Sequence, residues 1–281
     1  MSRLHGPVPL GWKSITMLVI ISCAGFAMFA WPLVIPLSPD ADMGSSAPFI
    51  FVVLLPLLIF LVMAQISDQG MDVKALAILG VLSAIAAALR PLGAGTNGVE
   101  TVFFLLILAG RVFGPGFGFV LGCTSLFASA LLTAGVGPWM PFQMLASAWV
   151  GMGAGLLPDS VMGKKIRGGL ELAMLVVYAI VAAYFFGMIM NLWFWPFIMG
   201  SGGGGPTDLA YIPGGAIGEN LKRFGWFTLI TSTAVWDTGR AITTCLLLMV
   251  VGRPVLLAFR RTVRRANFQQ QTQNPFTKEV A

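Results

Sequence analysis

A single histidine, three cysteines and three tyrosines are all that 281 residues hold of these types, and Asp, Glu, Lys and Arg together make up only 10%. Each scarcity removes a class of function. The lone His5 does not supply the two imidazoles of a bis-histidine haem site. Cys23, Cys123 and Cys245 each lie inside an apolar stretch without paired spacing, which supports neither a disulfide framework nor a zinc site, so neither metal nor intrinsic cofactor is expected. No glycine-rich loop ends in Lys-Ser or Lys-Thr, so the chain has no visible nucleotide site; the run at 202–206 is glycine-rich but lacks the lysine. The net charge of +6 does not signal nucleic acid, because the basic residues fall between apolar spans instead of alternating with aromatics on one face.

What the chain has in abundance is apolar surface: 57% hydrophobic residues and a mean hydropathy of +0.86. No soluble domain of this size needs so much. Apolar windows near 14–37, 48–66, 73–91, 100–111, 115–134, 141–157, 170–195 and 226–251 predict eight membrane spans in an all-α polytopic bundle, judged against the roughly 20 residues that cross a bilayer. The fourth is too short to cross alone and needs flanking loops that dip into a protein-lined cavity. Turn compositions at Ser38-Pro39-Asp40, Gly93-Ala94-Gly95, Gly114-Pro115-Gly116 and Gly137-Pro138 separate the spans. The first span reads as a retained helix and not as a signal peptide, since its apolar core exceeds the usual length of about 7 to 15 residues and no small-x-small cleavage site follows.

Lys164, Lys165 and Arg167 lie between spans six and seven, and Arg253, Arg260, Arg261, Arg264 and Arg265 follow span eight. The positive-inside bias makes both regions cytoplasmic, and an even number of spans then puts both termini inside. On the outer side fall the loops around Asp40, Gly95 and Gly137 and the long segment 197–225.

Within the last span, Trp236-Asp237-Thr238-Gly239-Arg240 puts a carboxylate and a guanidinium near the bilayer centre. A charge there costs roughly 2.5 to 3.5 kcal/mol, so Asp237 and Arg240 are expected to face protein or a wet cavity. At i and i+3 they share a helix face and can neutralise each other, with or without a ligand. More polar groups gather at the outer ends of the spans. Arg90 ends span three, and a glycine-rich loop carrying Asn97 leads to Glu100. Arg90 reads either as a snorkelling residue or as a ligand contact, and Glu100 either as a charge favoured by a helix N-terminus or as a second contact. Trp139 and Gln143 follow on the next outer turn, Asn191 and Trp193 end span seven, and Tyr211 lies in the long outer segment. Interface anchoring and helix-to-helix hydrogen bonding compete with ligand contact for each.

Small residues recur at helical spacing as Gly80, Ala84 and Ala88, as Gly118, Gly122, Ser125 and Ser129, and as Ser147, Gly151 and Gly155. Such stripes let helices pack closely in lipid, and one of them is available for a partner protein.

The stretch 74–158, with Ala87-Ala88-Leu89-Arg90, Gly110-Arg111-Val112-Phe113-Gly114-Pro115 and Gly135-Val136-Gly137-Pro138-Trp139, resembles the membrane substrate-binding (S) component of an energy-coupling factor (ECF) vitamin transporter. The last span resembles that of the family's cobalamin-like subgroup. The resemblance implies a six-helix substrate-binding core at 73–252, preceded by a tail and two extra helices at 1–72 and followed by a basic cytoplasmic tail at 253–281. It further implies a protein of the bacterial inner membrane that captures a vitamin at the outer face, cobalamin first and riboflavin or another small precursor second. A membrane coupling (T) protein and two ATPases would supply the energy, with 91–99 acting as a lid and Gly80, Ala84 and Ala88 docking the coupling protein. An intramembrane enzyme using Asp237 as a base and Arg240 as an anion clamp is the alternative from another class, with a thin catalytic set.

Overall fold

A computed structural model describes residues 11–34, 73–93, 98–161, 163–199 and 209–266. The expected second span, 48–66, and Asn97 lie outside the described residues. Helix α1 covers Trp12–Phe29 and is followed by a single turn, α2, at Trp31–Val34. Then come α3 (Val73–Leu89), a 3-10 turn at Arg90–Gly93, α4 (Phe103–Phe113), α5 (Pro115–Leu132) and α6 (Met140–Leu156). A two-residue hairpin, β1 (Ser160–Val161) and β2 (Lys164–Lys165), leads into α7 (Gly169–Met199). The described residues end in one continuous helical column: α8 (Ile217–Thr228), a π-helical segment (Leu229–Asp237) and α9 (Thr238–Ala266). Among the described residues, five helical stretches are long and apolar enough to cross a membrane, which makes this a multi-pass membrane protein.

The short fourth element is the centre of the bundle. All eleven residues of α4 are buried, and at about 1.5 Å per residue it reaches only halfway across a bilayer. Around it α4, α5 and α6 approach backbone to backbone, because a Cβ on Gly110 or Gly118 would run into the carbonyl of Gly151, and one on Gly155 into Pro115. Two of the three small-residue stripes are therefore spent on internal packing. The third is not. On α3 the inward face is Ala75, Leu79, Leu82, Ser83 and Ala86, with the Ser83 hydroxyl 2.7 Å from that of Thr124 on α5. Gly80, Ala84 and Ala88 face away, exposed, and a Cβ on Gly80 would meet nothing within 4 Å.

Helix α1 is strapped to the core: Trp149 Nε1 donates to Ser22 Oγ at 3.1 Å, Gly25 admits Leu145, and Phe29 stands edge-on to Phe142 with centroids 5.1 Å apart. Two expected boundaries move. The outer segment 197–225 is partly helical, since α7 continues to Met199 and α8 begins at Ile217. An aromatic cluster of Trp195, Tyr211, Phe224 and Phe227 holds this cap, with Trp195 Nε1 donating to the Leu209 carbonyl at 2.8 Å. The basic stretch expected as a tail from 253 continues α9 without a break, because Leu256 is buried and Phe259 packs on Phe113 at 5.5 Å.

Candidate functional site

One end of the bundle is tied shut by ions. Arg111, at the end of α4, donates from Nε to Glu171 Oε1 at 2.8 Å and from Nη1 to the Leu157 carbonyl at 2.9 Å, with Asp159 Oδ1 3.0 Å away. Arg260 of α9 grips both oxygens of the same Glu171 at 2.6 and 2.7 Å. Helices α4, α7 and α9 meet on one buried carboxylate, and its charge is matched there.

The opposite end is open. A cavity of about 420 Å³ is lined by the 3-10 turn after α3, the connection ahead of α4, the end of α5, the start of α6 and the π segment with α9. Its polar groups are Arg90, Glu100, Ser129, Thr133, Gln143 and Arg240, and Trp139 and Trp236 supply its aromatic faces. Gly98 closes one wall: it sits at φ +73°, and a Cβ there would collide with the Trp236 backbone. Only glycine satisfies both demands.

Each polar group is held by its own element. Arg90 Nη2 donates to Gln143 Oε1 at 2.7 Å, and among the described residues no carboxylate lies within ion-pair distance of it. Thr101 Oγ1 donates to the Leu89 carbonyl at 2.6 Å, fastening the connection to the end of α3. Glu100 Oε1 accepts the Val102 N–H at 2.9 Å in that connection, ahead of α4.

The Asp237 and Arg240 pair is made, and its two members do different things. Asp237 is 1% exposed; its Oδ1 takes Arg240 Nη1 at 2.7 Å and its Oδ2 takes the Ser232 hydroxyl at 3.0 Å. Ser232 stands five residues earlier, the spacing that a π turn brings into line, and Thr238 Oγ1 donates back to the Thr233 carbonyl with the same offset. Gly187 on α7 leaves the space that the Asp237 carboxylate fills. Arg240 reaches past this support into the cavity wall, its guanidinium 4.8 Å from the Phe186 centroid and 5.8 Å from that of Phe103. Its Nε is buried with no hydrogen-bond partner, as is Ser129 Oγ.

Of the residues singled out in the sequence, the cavity brings together Arg90, Glu100, Trp139, Gln143 and Arg240, with Asp237 behind Arg240. Three others do not line it. Trp193 stacks on Phe142 at 4.2 Å and receives Trp31 Nε1 on its carbonyl, Tyr211 donates to the Pro32 carbonyl at 3.0 Å, and Asn191 is half-buried on α7. Trp193 and Tyr211 join the core to α2, a partner that local sequence does not reveal. Trp236, Ser129 and Thr133 line the cavity as well, and of these the sequence pattern marks only Ser129, in a small-residue stripe.

Among the known families, the model described as ECF transporter, substrate-specific component, matches residues 74–252. No curated protein and no solved structure matches the chain. The match begins with α3 and ends within α9, so it takes in every residue that lines the cavity.

Proposed function

The chain belongs to the family of ECF transporter substrate-specific components, and on that premise we propose that the cavity between Arg90 and Arg240 captures a vitamin or vitamin precursor for import. Proteins of this family bind a transport substrate and are not enzymes, and they work in a complex with a T component and ATPases. The observation that carries the reading is the convergence of two guanidiniums, a carboxylate, an amide and two indoles on one open cavity in an otherwise apolar bundle. Fixed polar groups on an apolar frame are what a small-molecule site requires. The connection that follows Arg90 rests on the π segment through Gly98 and serves as the lid.

Capture is at the outer face, with both termini cytoplasmic, in line with the basic residues that flank the opposite end. Gly80, Ala84 and Ala88 present the docking strip for the coupling protein: of the three small-residue stripes, this one turns away from the bundle. Two ATPases complete the importer. About 420 Å³ stands toward the lower end of the roughly 300 to 1,000 Å³ typical of small-molecule sites, which supports the smaller solute class, a small vitamin or precursor, over a whole corrinoid. Asp237 spends its two oxygens on Ser232 and Arg240 and does not line the cavity, so the geometry lends no support to an intramembrane enzyme with Asp237 as base.

Purification with the co-bound solute, followed by absorption spectroscopy and calorimetry, tests the assignment. Binding of a small vitamin or precursor in place of a corrinoid is expected. A corrin spectrum restores cobalamin, and a folded chain that binds no vitamin overturns the reading.

A further inference from the structure

From the charges that line the cavity we infer the chemical class of the solute: it carries a carboxylate, received by Arg90 and Arg240, together with a hydrogen-bond donor that faces Glu100. This rests on the reading of the cavity as the capture site. The cavity is rich in donors and poor in acceptors. Arg90 spends an N–H on a neutral amide, Gln143, and has no carboxylate within ion-pair distance among the described residues. Arg240 commits Nη1 to Asp237 and the Ala183 carbonyl, and its Nη2, on the residue that lines the cavity, has no hydrogen-bond acceptor among the described residues. A donor that lines the cavity without an acceptor is paired by an acceptor on the solute. A carboxylate offers two oxygens with about four lone-pair sites, and a guanidinium donates in the matching geometry.

Glu100 sets the second half of the requirement. It forms no ion pair within the chain among the described residues, and its bond to the Val102 N–H leaves acceptor capacity toward the cavity it lines. A bare dianion would be repelled by it, and a solute bearing a hydroxyl, amide or amine near its acid would not. The half-exposed indoles of Trp139 and Trp236 then cover the apolar body of such a molecule.

The test uses the full-length chain in detergent and matched pairs that differ in the acid alone: pantothenate against panthenol, biotin against biotin amide, and nicotinate against nicotinamide, with riboflavin and cobalamin alongside. In calorimetry one acid is expected to bind about 10-fold or more tightly than its neutral counterpart, the scale of one charge-assisted hydrogen-bond pair. Arg90→Gln is expected to erase that preference and Arg90→Lys to restore part of it, while the melting temperature of all three proteins stays close. Equal affinity for acid and neutral partner, or binding of only neutral members, riboflavin or cobalamin, overturns the carboxylate inference and leaves the capture reading standing. A folded chain that binds no member overturns both.

Discussion

The two ends of this bundle are built from the same residue types and differ in whether the charges are finished. At one end Glu171 satisfies Arg111 and Arg260 at once, with Asp159 and the Leu157 carbonyl completing the set. At the other, Arg90 leans on an amide, Glu100 on a backbone N–H, and Arg240 retains a donor without an acceptor, all around a cavity of about 420 Å³. A buried ion pair is weak ground for assigning function, because a matched pair explains its own burial. Charges that line a cavity with capacity left over have no such explanation within the chain. The finished end holds α4, α7 and α9 together, and the unfinished end awaits a solute.

The largest expected effect breaks the finished end. Glu171→Ala strands two guanidiniums, one of them on a buried α4, and is expected to cost about 3 to 5 kcal/mol, read as a collapse of the thermal transition of the detergent-solubilised chain. A melting temperature near that of the unaltered chain would show that the knot is decorative.

Next comes Gly187→Ala, whose methyl group enters the space of the Asp237 carboxylate. A loss of about 1 to 3 kcal/mol is expected, and because Asp237 aims Arg240, solute affinity should fall with it. Unchanged affinity would separate Arg240 from the site. Smaller again in stability is Arg90→Gln, within about 0.5 kcal/mol for a half-buried side chain at a helix end, yet the loss of solute affinity should be about tenfold. If Glu171→Ala and Arg90→Gln prove alike in stability, the contrast between the two ends fails. The smallest effect on the isolated chain is that of Ala84→Leu: on the exposed face of α3 it should leave both folding and binding unaltered and block co-purification with the coupling protein and ATPases. Normal assembly would remove that strip from the interface.

Much of this was legible in the residues. The boundaries of α5 and α6 follow their Pro and Gly punctuation, and the cost of an intramembrane charge singles out Asp237 and Arg240. Local signals, however, do not separate a wall from a pillar. Arg111 reads as part of a glycine-flanked motif and Arg260 as an inner-face marker of topology, whereas their common partner, Glu171, is 60 and 89 residues distant and marked by no local pattern. Trp193 and Tyr211 read as candidate ligand contacts at an outer rim, and in the fold they bond to α2, across 162 and 179 residues. The π segment carries no proline or glycine to announce it; its support is a set of side-chain bonds at i and i+5, visible only once the turn is built. Trp236, within that widened turn, shares a cavity with Arg90.

The most direct test of the unfinished end is a structure of the chain with its solute bound. Density for the solute among Arg90, Glu100, Trp139, Gln143 and Arg240, with Asp237 still on Ser232 and Arg240, is the predicted result. A solute seated elsewhere, with that cavity holding only solvent, would contradict it.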